Sequence, residues 1–119
     1  MDIERLYRAV KMAWEEDTAA GEWREEVPSM NQCAVTSLVV QDYLGGTLQR
    51  QLLNDGDSHY WNRLPNGMDV DMTAEQFNYT KQYREGPVVI REREYVLGYP
   101  DTLKRYELLR DRVKKILNL

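Results

Sequence analysis

The sequence predicts an α+β domain in which a central buried helix, carrying the only cysteine of 119 residues, packs on a small antiparallel sheet. Three observations predict it. Apolar residues recur at three- and four-residue steps near both termini, a β-branched apolar run sits between helix-capping residues and a Gly-Gly stop, and a Pro-Asn-Gly turn joins two alternating segments.

Residues 2–15 place Ile3, Leu6, Tyr7, Val10 and Trp14 on one stripe, with Glu4, Arg5, Arg8, Lys11 and Glu15 between them, so a surface helix is expected. An acidic loop follows through Gly21, Trp23 and Pro28, and its tryptophans are expected to pin it to the body. Ser29 and Asn31 are both candidate N-caps for a helix over 32–44 that Gly45-Gly46 ends. Propensity alone would make AVTSLVV a strand, but the caps favour a helix. Its apolar residues, Ala34, Val35, Leu38, Val39, Val40 and Leu44, cover most of its circumference, which suits a central position. Strands are expected over 47–54, 58–64, 68–72 and 88–97. Thr73 and Gln76 form a capping-box pattern for a short helix. The last helix, over 101–118, should bury Leu103, Tyr106, Leu109, Val113 and Ile116.

The chain has the size of one domain, 1–119. No apolar run approaches the roughly 18 residues that cross a bilayer, and MDIERLYRAVKMAWEED is charged and amphipathic rather than a signal peptide. A lone cysteine forms no internal disulfide and suits a reducing compartment, so the cytoplasm is expected. With a net charge of −4 and dispersed basic residues, nothing suggests a nucleic-acid partner. One Cys and one His supply too few ligands for structural zinc, and neither metal nor cofactor is expected.

The turn at Leu64-Pro65-Asn66-Gly67 sets the register of the hairpin. A three-residue loop with Gly67 at positive φ pairs Leu64 with Met68, Arg63 with Asp69, Trp61 with Asp71 and His59 with Thr73. One face then carries His59, Trp61, Arg63, Asp69 and Asp71; the other carries Tyr60, Asn62, Leu64, Met68, Val70 and Met72. A two-residue Asn-Gly turn would mix charged and apolar residues on both faces. In the three-residue register His59 and Asp71 are diagonal neighbours, close enough for the carboxylate to orient the imidazole.

Cys33 at a helix N-terminus lies at the positive end of the helix dipole, which favours a thiolate. The candidate chemistry is therefore Cys33 as nucleophile, His59 as general base and acid, and Asp71 as orienter. Oxyanion donors would come from the Cys33 N–H and the side chain of Gln32 or Asn31. A free cysteine on a buried helix more often packs than reacts, so spacing alone favours the bland reading.

At Asn31-Gln32-Cys33-Ala34-Val35-Thr36, Leu38 to Asp42, Gly45-Gly46, Ser58 to Asn62 and Val70 to Phe77, the chain resembles the YunG-like family of small bacterial proteins. That resemblance implies a bacterial setting and little chemistry. More remotely, the order of helix-borne Cys, strand-borne His and next-strand Asp is similar to the papain-like and transglutaminase-like superfamily. Its His-x-Trp-Asn and Val-Asp-x-Thr patterns correspond here to His59, Trp61, Asn62 and Val70, Asp71, Thr73. The similarity implies a papain-like core and a cysteine hydrolase or acyltransferase acting on a small-molecule or peptide amide, ester or thioester. Trp61 and Asn62 would border the substrate. In papain-type enzymes the oxyanion glutamine lies several residues before the cysteine, whereas Gln32 adjoins it. The alternatives are a binding module that offers Trp23 and Trp61 as its surface, and a redox-sensitive thiol.

Overall fold

A computed structural model describes residues 1–118. Helix α1 (Ile3–Ala13) is followed by a 3-10 turn at Glu16–Thr18, helix α2 (Cys33–Leu44), and strands β1 (Thr47–Leu52), β2 (Ser58–Arg63) and β3 (Asp69–Val70). A second 3-10 turn at Ala74–Asn78 leads to strand β4 (Val89–Arg91), helix α3 (Arg93–Leu97) and helix α4 (Pro100–Leu117). The strands form one antiparallel sheet in the order β3-β2-β1-β4, giving an α+β fold. Among the described residues no helix is long and apolar enough to cross a membrane.

The Asp2 carboxylate caps α1 by accepting from the Glu4 N–H at 3.1 Å, and Leu6, Ala9, Val10 and Ala13 face inward. Helix α2 is central. Val35, Leu38, Val39 and Val40 are all fully buried, between α1 and α4 and against β2. Packing on several sides overrides the β propensity of this run.

Neither expected cap serves α2. Gln32 occupies the N-cap position with no side-chain capping bond, the Ser29 hydroxyl is buried without a partner, and Asn31 takes φ 58°. The stop is as expected, with Gly45 at φ 72° and Gly46 at φ 82°. Gly46 also lies against β2, where a Cβ would fall 2.0 Å from the Arg63 carbonyl oxygen. No residue with a side chain fits there.

Three expectations need correction. The stripe of α4 is Thr102, Tyr106, Leu109, Val113 and Leu117, while Leu103 and Ile116 lie on its flanks and are exposed. The expected strand over 88–97 stops at Arg91, and the chain turns into α3. Arg93 draws it inward by donating to the Leu38 carbonyl, Gln41, Asp42 and the Tyr106 hydroxyl at 2.7–3.2 Å, while Val96 enters the core. Strands β1 and β3 are shorter than expected, and Leu53 forms only an isolated bridge with Arg84. The loop between α1 and α2 is pinned by its tryptophans: Trp14 Nε1 donates to Thr36 Oγ1 at 2.8 Å, and Trp23 Nε1 to the Pro28 carbonyl at 2.9 Å.

The hairpin adopts the three-residue loop. Leu64 N–H donates to the Met68 carbonyl at 2.8 Å, Gly67 has φ 88°, and Arg63 pairs with Asp69. Met68 departs from the apolar face and is 49% exposed, because β3 is too short to hold it against α2.

Candidate active site

Strand β2 presents Tyr60 and Asn62 toward α2, where Asn62 Nδ2 donates to the Ser37 carbonyl at 2.8 Å. Its alternate residues, His59 and Trp61, share the other face and stack with centroids 5.7 Å apart. A polar alternation predicts a solvated face, yet these two residues are only 1% and 3% exposed. The cover comes from the chain after β3. Phe77 meets the His59 ring edge-on at 4.7 Å, and the Arg84 guanidinium lies over Trp61 at 4.3 Å.

His59 Nε2 donates to Asp71 Oδ2 at 2.6 Å. The same carboxylate oxygen accepts from Arg84 Nη2 at 2.8 Å, and Oδ1 accepts from the Thr73 N–H at 3.1 Å and the Thr73 hydroxyl at 3.3 Å. Four donors from three residues therefore fix the acid. Burial alone would lower the basicity of the imidazole. The hydrogen bond to the Asp71 carboxylate and the influence of the nearby Cys33 sulfur overcome that and push His59 up to about 9. With Nε2 on Asp71, Nδ1 is the ring nitrogen left for the sulfur. The imidazole thus carries a proton at neutral pH, joined to the Asp71 carboxylate.

Cys33 is the first residue of α2 and is half-buried; its sulfur also approaches the Ser58 carbonyl at 3.8 Å. The chain is aimed by Asn31, whose left-handed backbone is held by three bonds. Its carbonyl accepts from the Ala20 N–H at 2.8 Å, its side chain donates to the Glu22 carbonyl at 2.7 Å, and its N–H donates to Gln76 Oε1 at 3.3 Å.

Gln76 and Arg84 are the residues that the sequence reading missed as parts of this site. Gln76 does not close the expected capping box, since the Thr73 N–H is committed to Asp71; its amide nitrogen instead donates to Thr73 Oγ1 at 3.1 Å. A hydrogen-bonded circuit therefore runs from the Asn31 N–H through Gln76 and Thr73 to Asp71 and His59. The Thr-x-x-Gln spacing was the visible signal for Gln76. Arg84 follows a stretch of irregular chain and had none.

The structure thus joins His59 to Asp71 and sets the Cys33 sulfur against the Ser58 carbonyl, one residue before His59 on β2. It does not turn the Gln32 or Asn31 amide toward the sulfur: Gln32 Nε2 donates to the Glu15 carbonyl at 3.0 Å and its oxygen is buried without a partner, and Asn31 is held as above. The donors left near the sulfur are the N–H groups of Cys33 and Ala34, in the first turn of α2 where no helical carbonyl can receive them. Trp61 Nε1 donates to Asp69 at 3.3 Å, and its buried ring offers no exposed binding surface. Cys33, Asn31, Ala34, Tyr60 and Gln76 line a cleft of about 370 Å³. Among the described residues no group of three His, Cys, Asp or Glu side chains is placed to hold a metal ion.

The family model described as YunG protein matches residues 2–118. Over 117 residues the chain is 33% identical to a protein of Bacillus subtilis (strain 168) described as "Uncharacterized protein YunG", covering 98% of this chain and 95% of that relative. No solved structure matches.

Proposed function

The chain belongs to the YunG family, and we propose that it is a cysteine hydrolase or acyltransferase built on a papain-like and transglutaminase-like order of Cys, His and Asp. The observation that carries this reading is the buried imidazole of His59, tied to Asp71 at 2.6 Å and raised in basicity by the neighbouring Cys33 sulfur, which opens on a cleft. A cysteine that merely packs needs no charged imidazole braced by a carboxylate with four donors.

The sulfur attacks the carbonyl carbon of an amide, ester or thioester, forming a C–S bond while the carbonyl π electrons move onto oxygen. The N–H groups of Cys33 and Ala34 receive that oxyanion. Collapse expels the leaving group, which takes the proton from His59. The neutral imidazole then removes a proton from water or another acceptor as it attacks the acyl-cysteine; the C–S bond breaks, and the thiolate and imidazolium are restored. Asp71 keeps the ring oriented and stabilises its charge throughout. Arg84 and Thr73 position that carboxylate.

The test is the rate of iodoacetamide labelling of Cys33 across pH 6 to 9. We expect labelling to persist at pH 6, where an ordinary thiol with a pKa of about 8.5 reacts little, and to fall about tenfold in His59→Ala. A thiol that stays inert across the range rejects the enzyme.

A further inference from the structure

We infer that the cleft beside Cys33 takes a substrate whose acyl portion bears a carboxylate, received by Arg50; this rests on the proposed acyl-cysteine chemistry and names its donor class. Arg50 lies on β1 directly across from Tyr60 of β2, so both project from one face of the sheet into the cleft that Cys33 lines. Arg50 Nε donates to Ser58 Oγ at 3.0 Å, which holds one edge of the guanidinium and leaves Nη1 and Nη2 for a ligand.

The charges of the cleft single out Arg50. Among the described residues no carboxylate lies within 4.0 Å of it, whereas the other cation lining the cleft, Arg105, is paired with Asp101 at 2.9 Å. The acid that lines the cleft, Asp57, is exposed and accepts from Gln82 Nε2 at 3.0 Å. A second guanidinium reinforces the field. Arg91 of β4 stacks on Tyr95 at 5.1 Å, and its Nε is buried without a partner. The neighbouring Tyr99 hydroxyl, together with the charges of Arg91 and Arg50, holds the Tyr95 phenol below its ordinary range. Tyr95 and Tyr99, edge to face at 6.0 Å, add an aromatic wall to the cleft. A partly buried arginine without an acid, next to a nucleophile and framed by tyrosines, suits an anionic acyl chain better than a neutral or cationic one.

Binding to the full-length chain, followed by NMR, tests this without relying on turnover. Glutarate should shift the Arg50 Nε–H and Tyr60 ring resonances to saturation, while glutaramide, its neutral counterpart, should bind at least tenfold more weakly. Arg50→Gln should abolish the preference, and Arg50→Lys should keep part of it. Equal binding of the two probes by the unaltered protein, no shift with glutarate, or an undiminished preference in Arg50→Gln overturns the inference. The thiol supplies a second readout. Iodoacetate should label Cys33 about tenfold faster relative to iodoacetamide than it labels free cysteine. A thiol that iodoacetamide labels readily, with no preference for either anion, overturns the carboxylate site alone. A thiol inert to both reagents, in a protein that still prefers glutarate, supports the site and removes the acyl chemistry.

Discussion

The two faces of β2 are buried by different forces. Toward α2, Leu48, Tyr60 and Asn62 join an apolar core, and the one polar side chain among them finds a helix carbonyl. On the opposite face, His59 and Trp61 are as deeply buried, yet their cover is a guanidinium, the edge of a phenyl ring and a carboxylate. The first face gains stability from area removed from water. The second gains mainly geometry, because desolvating charged partners offsets much of their attraction. Burial of a polar strand face by paired charges therefore points to a function for its placement.

The contrast is broken most severely at the imidazole. His59→Ala should lower turnover of activated thioesters about 10³-fold or more in the folded fraction and, because it strands the Asp71 carboxylate, should also cost about 3–5 kcal/mol in urea unfolding. Unchanged turnover by the folded variant would show that the polar face is merely structural. Leu48→Ala, on the apolar side, should cost about 2–5 kcal/mol in urea unfolding and leave the pH profile of Cys33 labelling in place. Asn62→Ala should cost about 1–3 kcal/mol, since the Ser37 carbonyl loses its donor.

The pH predictions sharpen the same comparison. The folded His59 is raised to about 9, so it is protonated below that pH and loses its proton above it. Acylation, which draws on that proton, should fall as pH rises through about 9, and the ring resonances should titrate there. Asp71→Asn removes a negative neighbour and should move both midpoints down toward 6.5. Arg84→Gln removes a positive neighbour and should move the ring titration slightly up, with turnover reduced about tenfold. A shift in the same direction for both variants would contradict the ion-pair geometry.

What the sequence made legible follows from the same physics. Periodic apolar spacing and turn chemistry located the two terminal helices and the hairpin, and the register of Arg63 with Asp69 followed from Gly67. His59 and Asp71 could be placed side by side for that reason. The cover was hidden because Phe77 and Arg84 lie in chain with no period, and their contacts depend on where the backbone returns after β3. Arg93 was hidden for a related reason: five polar and carbonyl groups that meet only in the folded state decide that residues 93–97 are helical. The caps of α2 misled in the opposite sense. Asn31 has the composition of a cap, but its amide is committed to Glu22.

The imidazole and carboxylate lie 12 residues apart on one hairpin, whereas the sulfur belongs to the helix before it. Closing so short a span is a local, microsecond event, while meeting the sulfur requires β2 to dock on α2. The single thiol is consequently a built-in stopwatch: during refolding, the moment at which its alkylation rate changes marks hairpin docking, without any added label.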